Sequence, residues 1–115
     1  MLDVDKVLKY LKPLMDKYQL SIKKANVLHS ISSDYNTLAM LLENNDLKID
    51  LRLFIKNSNN RWYIEHTRAI ISLPNSKFAN NIIIMGYKNK KDILNNLGLA
   101  IMMTLKSRIN ITEEV

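Results

Sequence analysis

The stretch from Leu47 to Ile71, LKIDLRLFIKNSNNRWYIEHTRAII, constrains the fold more than any other part of the chain. From Leu47 to Lys56 it alternates strictly, with Ile49, Leu51, Leu53 and Ile55 on one side and Lys48, Asp50, Arg52, Phe54 and Lys56 on the other. A repeat of two is the mark of a strand with one buried and one wet face. The turn formers Asn57, Ser58, Asn59 and Asn60 follow, then a run rich in aromatic and β-branched residues from Arg61 to Ile71, so the whole reads as an antiparallel hairpin. An even loop centred on Ser58 and Asn59 predicts Ile55 opposite Trp62, Leu53 opposite Ile64 and Leu51 opposite His66. It also places Arg52 against Glu65 and Phe54 against Tyr63 on the outer face. In this register His66 and Arg68 face inward, and Arg68 would then need an acidic partner such as Asp3 or Asp5.

The rest of the chain supplies what such a hairpin needs in order to bury its apolar side. Val4, Val7, Leu8, Leu11, Met15 and Tyr18 recur at helical spacing, which predicts a helix from about Asp3 to Tyr18 with a kink or break at Pro13. Ala25, Val27, His29 and Ile31 alternate with Lys24, Asn26, Leu28 and Ser30 between Ser21 and Ser32 and predict a first strand. Thr37 to Glu43 reads as a second strand or, with Asp34 as N-cap, a short helix; the strand is favoured because a two-residue turn at Asn45 and Asp46 sets Glu43 against Lys48, Leu42 against Ile49 and Met40 against Leu51. Residues 73–80 read as a loop. Asn81 to Tyr87, apolar without alternation, reads as a strand covered on both faces. A final helix from about Lys90 to Ile109, with Asn89 as N-cap, is apolar around much of its circumference, and Ile111 to Val115 should fray. Gly98 in its middle points to close approach of another backbone. At 115 residues the chain makes one domain, 1–115. The predicted fold is α+β, a four- to five-stranded, mostly antiparallel meander sheet with the N-terminal and C-terminal helices on one face.

Composition matters for function rather than fold. The net charge is +6 and the pI about 9.6, a balance that favours an anionic partner. The absence of cysteine excludes disulfides and thiolate metal sites and fits a cytoplasmic location. No apolar run is long enough to cross a membrane as a helix. With two glycines in the chain there is no phosphate-cradling glycine loop, and no serine has a recognisable histidine and acid around it, so neither an enzyme nor a cofactor is expected.

The outer face carries the functional reading. Lys48, Arg52, Phe54, Lys56, Arg61 and Tyr63 mix cations with rings on an open sheet, as a platform for single-stranded nucleic acid requires. Lys88, Lys90 and Lys91 at the start of the last helix form a second basic cluster suited to phosphate. From Met85 to Leu105 this strand, lysine cluster and helix resemble the end of a double-stranded-RNA-binding domain, in which such lysines grip phosphates. The resemblance departs at Leu94, where that family's third lysine would fall, and in the number of strands. The alternative reading is a homodimeric protein-interaction module using the outer face or Leu99, Met102 and Met103, which extend beyond the apolar stripe of the last helix. A remote third is a metal-dependent nuclease, in which Asp50 and Glu65 share a divalent ion. That pattern resembles restriction-type nucleases, except that Thr67 stands where their lysine follows the second acid.

Overall fold

A computed structural model describes residues 3–29, 34–59, 61–73, 80–86 and 89–113, with His29, 80–85 and 107–113 described by backbone alone. Helix α1 (Val4–Lys17) leads into strands β1 (Ser21–His29), β2 (Tyr35–Glu43), β3 (Lys48–Ser58), β4 (Arg61–Ser72) and β5 (Asn80–Met85), and helix α2 (Lys90–Glu113) follows. The strands form one antiparallel sheet in chain order. Both helices lie on the same side, closing a core in which Val7 and Leu11 of α1 and Ile93, Leu97 and Ile101 of α2 meet Leu38, Leu51, Leu53, Ile64 and Ile71 of the sheet. The other side of the sheet carries no element among the described residues. This is the expected α+β meander, with five strands.

Asp3 caps α1, its Oδ1 accepting from the backbone N–H of Asp5 and Lys6. The predicted kink or break at Pro13 does not interrupt the helix, which is assigned continuously to Lys17. The carbonyl that loses its donor is that of Lys9, one turn earlier; Lys9 and Pro13 are both exposed, so water can satisfy it. Asn89 caps α2 as predicted, its Oδ1 accepting from the Asp92 N–H at 2.9 Å while its Nδ2 donates to Asp92 Oδ2 at 2.8 Å. Helix α2 continues through the residues expected to fray, as far as Glu113. A Cβ on Gly98 would meet only Leu14 Cδ1, at an ordinary 3.8 Å. The neighbour there is a side chain, not the backbone that the glycine had suggested.

The β2–β3 register is the predicted one, with Glu43 opposite Lys48, Leu42 opposite Ile49 and Met40 opposite Leu51. The Glu43 carboxylate itself turns to Lys23 of β1, at 3.4 Å. The β3–β4 register is different in two ways. First, the pairing runs on to Ser58 opposite Arg61, so Asn57 rather than Ile55 faces Trp62, and Ile55 faces Ile64. Asn59 adopts φ 50°, a left-handed conformation that asparagine tolerates better than most residues. Second, a bulge at Glu65 leaves that residue unpaired, so Phe54 faces His66 and Leu53 faces Thr67. One extra residue reverses the parity of β4. Before the bulge Trp62 and Ile64 point into the core; after it Thr67, Ala69 and Ile71 do. His66 and Arg68 are therefore on the outer face, not the inner one, and Arg68 needs no buried acid. The expectation that both faces of the fifth strand are covered concerns side chains outside the described set.

Candidate nucleic-acid interface

The outer face is built by rows that cross the strands at right angles. Successive rows are about 6.8 Å apart along each strand, and neighbouring strands about 4.8 Å apart. One row runs Tyr35, Lys56, Tyr63, the next Thr37, Phe54, His66, and the next Ala39, Arg52, Arg68. Tyr35 and Tyr63 stand nearly two-fifths exposed, at 39% and 38%. Lys56 Nζ lies 5.6 Å from the Tyr35 ring centroid, a cation–π contact on an open surface. Phe54 and His66 form a tilted ring pair, with centroids 5.2 Å apart and an interplanar angle of 59°. This pair replaces the predicted Phe54–Tyr63 contact.

In the next row Arg52 faces Arg68 rather than the predicted Glu65. Both are exposed, and among the described residues neither has a carboxylate in ion-pair contact. Like charges directly opposite on neighbouring strands are destabilising, so this pair works against the free fold. The sequence reading had missed Arg68, His66 and Tyr35 as members of the face. The signal for the first two was the shift of apolar residues in β4 from even positions, Trp62 and Ile64, to odd ones, Ala69 and Ile71.

The remaining predicted site residues are distributed less closely. Lys48 is on the same face, four residues from Arg52 and thus about 13 Å along β3. Arg61 lies at the turn end, beside a polar recess of about 360 Å³ that it shares with Asp3, Lys6, Asp34, Asn57 and Trp62. Two acids there offset two cations, so the recess has no net charge with which to recruit an anion. Lys88 lies outside the described residues. Lys91 is exposed at the start of α2, but Lys90 turns its ammonium onto the Trp62 ring, 3.5 Å from the centroid, on the helix side of the sheet. Burial pushes the Lys90 pKa below the ordinary lysine value. Tyr10 completes this inner cluster, its ring edge-on to Trp62 at 5.4 Å and its hydroxyl donating to the Lys90 carbonyl. Burial also raises the Tyr10 pKa well above its usual value. The Lys90 ammonium is thus engaged by the Trp62 ring on the helix side of the sheet, away from the outer face.

Asp50 faces Ile70, and Glu65 lies at the bulge beside the Phe54–His66 pair, four residues along β3 or about 13 Å away. The two acids cannot share an ion, which removes the geometry behind the nuclease reading. No group of three metal-ligating side chains occurs among the described residues, and none of their helices is long and apolar enough to cross a membrane. Comparison of the chain with protein-family models, curated proteins and solved structures finds no match in any of the three.

Proposed function

We propose that this is a cytoplasmic single-stranded nucleic-acid-binding protein that uses the uncovered sheet face. The observation that carries the proposal is the Arg52–Arg68 pair, two exposed arginines directly opposite each other on neighbouring strands, neither in ion-pair contact with a carboxylate among the described residues, one row from a ring pair. A phosphate placed between the arginines converts a repulsion into two charge-assisted contacts. Phe54, His66, Tyr63 and Tyr35 offer ring faces or edges to bases in the adjoining rows, and Lys56 lies between the two tyrosines as a further backbone contact. Each stacked base contributes about 1–3 kcal/mol in platforms of this kind. No cofactor is required.

The test is fluorescence anisotropy of single-stranded oligonucleotides against the purified protein across a salt series. Affinity is expected to fall steeply with salt. Replacing both Arg52 and Arg68 by alanine is expected to reduce the log–log salt slope by about 0.7, since the pair neutralises one phosphate and each neutralised phosphate on a single strand contributes about 0.7. Phe54→Ala with Tyr63→Ala is expected to weaken binding while leaving that slope in place. Absence of binding at low salt, or an unchanged affinity in the double arginine variant, would overturn the proposal.

A further inference from the structure

Helix α2 has two lines of contact residues, and the core uses only one. Ile93, Leu97, Ile101 and Thr104 are buried against the sheet and α1. On the opposite side Asp92, Asn95, Leu99, Met102 and Lys106 are all exposed, spaced three, four, three and four residues apart. That is the narrow seam of a helix that packs against another helix. Its centre is apolar and open: Leu99 is 54% exposed, Met102 41% and the adjoining Met103 64%.

The charges along the seam choose the occupant. Asp92 and Lys106 each lie seven positions from Leu99, one on either side. An antiparallel copy of the same helix, related by a two-fold axis at Leu99, brings Asp92 of each chain to Lys106 of the other. A parallel copy would instead set Asp92 against Asp92 and Lys106 against Lys106. The pattern is self-complementary in one orientation only. An open groove of about 460 Å³ runs beside the seam between α1 and α2, walled by Pro13, Leu14, Leu94, Asn95 and Gly98. In the antiparallel register Met103 of the second copy falls at Asn95, on the wall of this groove, where its flexible thioether can fill an irregular apolar space. We infer that the protein forms a two-fold homodimer through antiparallel α2 helices centred on Leu99. The inference does not depend on the nucleic-acid reading, which concerns the other side of the sheet.

The native chain contains no cysteine, which makes the axis directly testable. A residue on a two-fold axis meets its own copy, so Leu99→Cys in the full chain is expected to oxidise to a covalent dimer under conditions where Lys12→Cys, exposed on α1, forms no cross-link. Sedimentation equilibrium is expected to show a dimer for the native protein and a monomer for Leu99→Glu, with circular dichroism confirming that this exposed substitution leaves the fold intact. Lys106→Asp is expected to weaken self-association about tenfold, since two symmetry-related pairs are lost, and adding Asp92→Lys to restore it. A native monomer at every concentration, cross-linking of Leu99→Cys no faster than the control, a dimer unaffected by Leu99→Glu, or failure of the charge swap to restore association would each overturn the inference.

Discussion

Strand β4 presents an aromatic ring to each side of the sheet at consecutive positions, and each ring stands near a tyrosine and a lysine. Trp62, on the inner side, has Tyr10 edge-on at 5.4 Å and the Lys90 ammonium 3.5 Å from its ring centroid, with two helices closing over them. Tyr63, on the outer side, is opposite Lys56, whose ammonium lies 5.6 Å from the Tyr35 ring, with no cover among the described residues. The residue types are nearly the same, and the roles are opposite. Inside, the three groups join α1, β4 and α2, each of them partly buried. Outside, the rings remain two-fifths exposed and contribute little to the fold they decorate. Aromatic and basic composition alone therefore does not identify a binding surface; the layer of structure above it does.

The division makes measurable demands. The largest effect is expected at Trp62→Ala, which should lower unfolding stability in urea by about 3 kcal/mol, whereas Tyr63→Ala should cost less than about 0.5 kcal/mol. Equal losses at the two positions would show that the outer face is structural as well. Next is the pH response of the inner cluster. Below about pH 10 the Tyr10 hydroxyl is protonated whether the chain is folded or not. Above it the unfolded tyrosine ionises while the folded one keeps its proton, so stability should fall as pH rises, and Tyr10→Phe should flatten that decline in denaturation midpoints. Smaller is the gain expected at Thr67→Val. The Thr67 hydroxyl is fully buried with no hydrogen-bond partner among the described residues, and an apolar replacement of the same shape should stabilise the protein by about 1 kcal/mol in thermal unfolding. Smallest is Arg52→Ala, which relieves the like-charge pair and should raise the stability of the free protein by about 0.2–1 kcal/mol while weakening oligonucleotide binding. A loss of stability instead would mean that the pair is held by the fold itself.

The parts of this architecture that were legible in the sequence share a physical basis. The β2–β3 register followed from alternation on both strands and a short Asn45–Asp46 turn, which leave a single pairing that puts apolar residues together. The α2 cap followed from the position of Asn89 before Asp92. Where four consecutive turn formers, Asn57 to Asn60, joined β3 to β4, the pairing could slide by two residues without changing faces, and the slide went unseen. The bulge at Glu65 was harder, because it reverses parity inside a strand, and its traces were indirect: an arginine, Arg68, that would otherwise face inward, and a shift of the apolar residues from Trp62 and Ile64 to Ala69 and Ile71. That one residue moved two members of the candidate site from the core to the surface. The seam on α2 was visible only as excess apolarity at Leu99, Met102 and Met103. Its charge symmetry became meaningful once Ile93, Leu97 and Ile101 were seen to occupy the opposite side.

The chain-order pairing of the strands also bears on the sequence of events during folding. Each hairpin closes over a short stretch of chain, so sheet formation has little loop entropy to overcome and is expected to come early. The tyrosines of α1 are different, since the hydroxyls of Tyr10 and Tyr18 reach the carbonyls of Lys90 and Gly98 across eighty positions. These two bonds act as a clasp between α1 and α2, expected to shut last over a sheet already assembled. A nascent protein would therefore expose its apolar sheet side until α2 has left the ribosome.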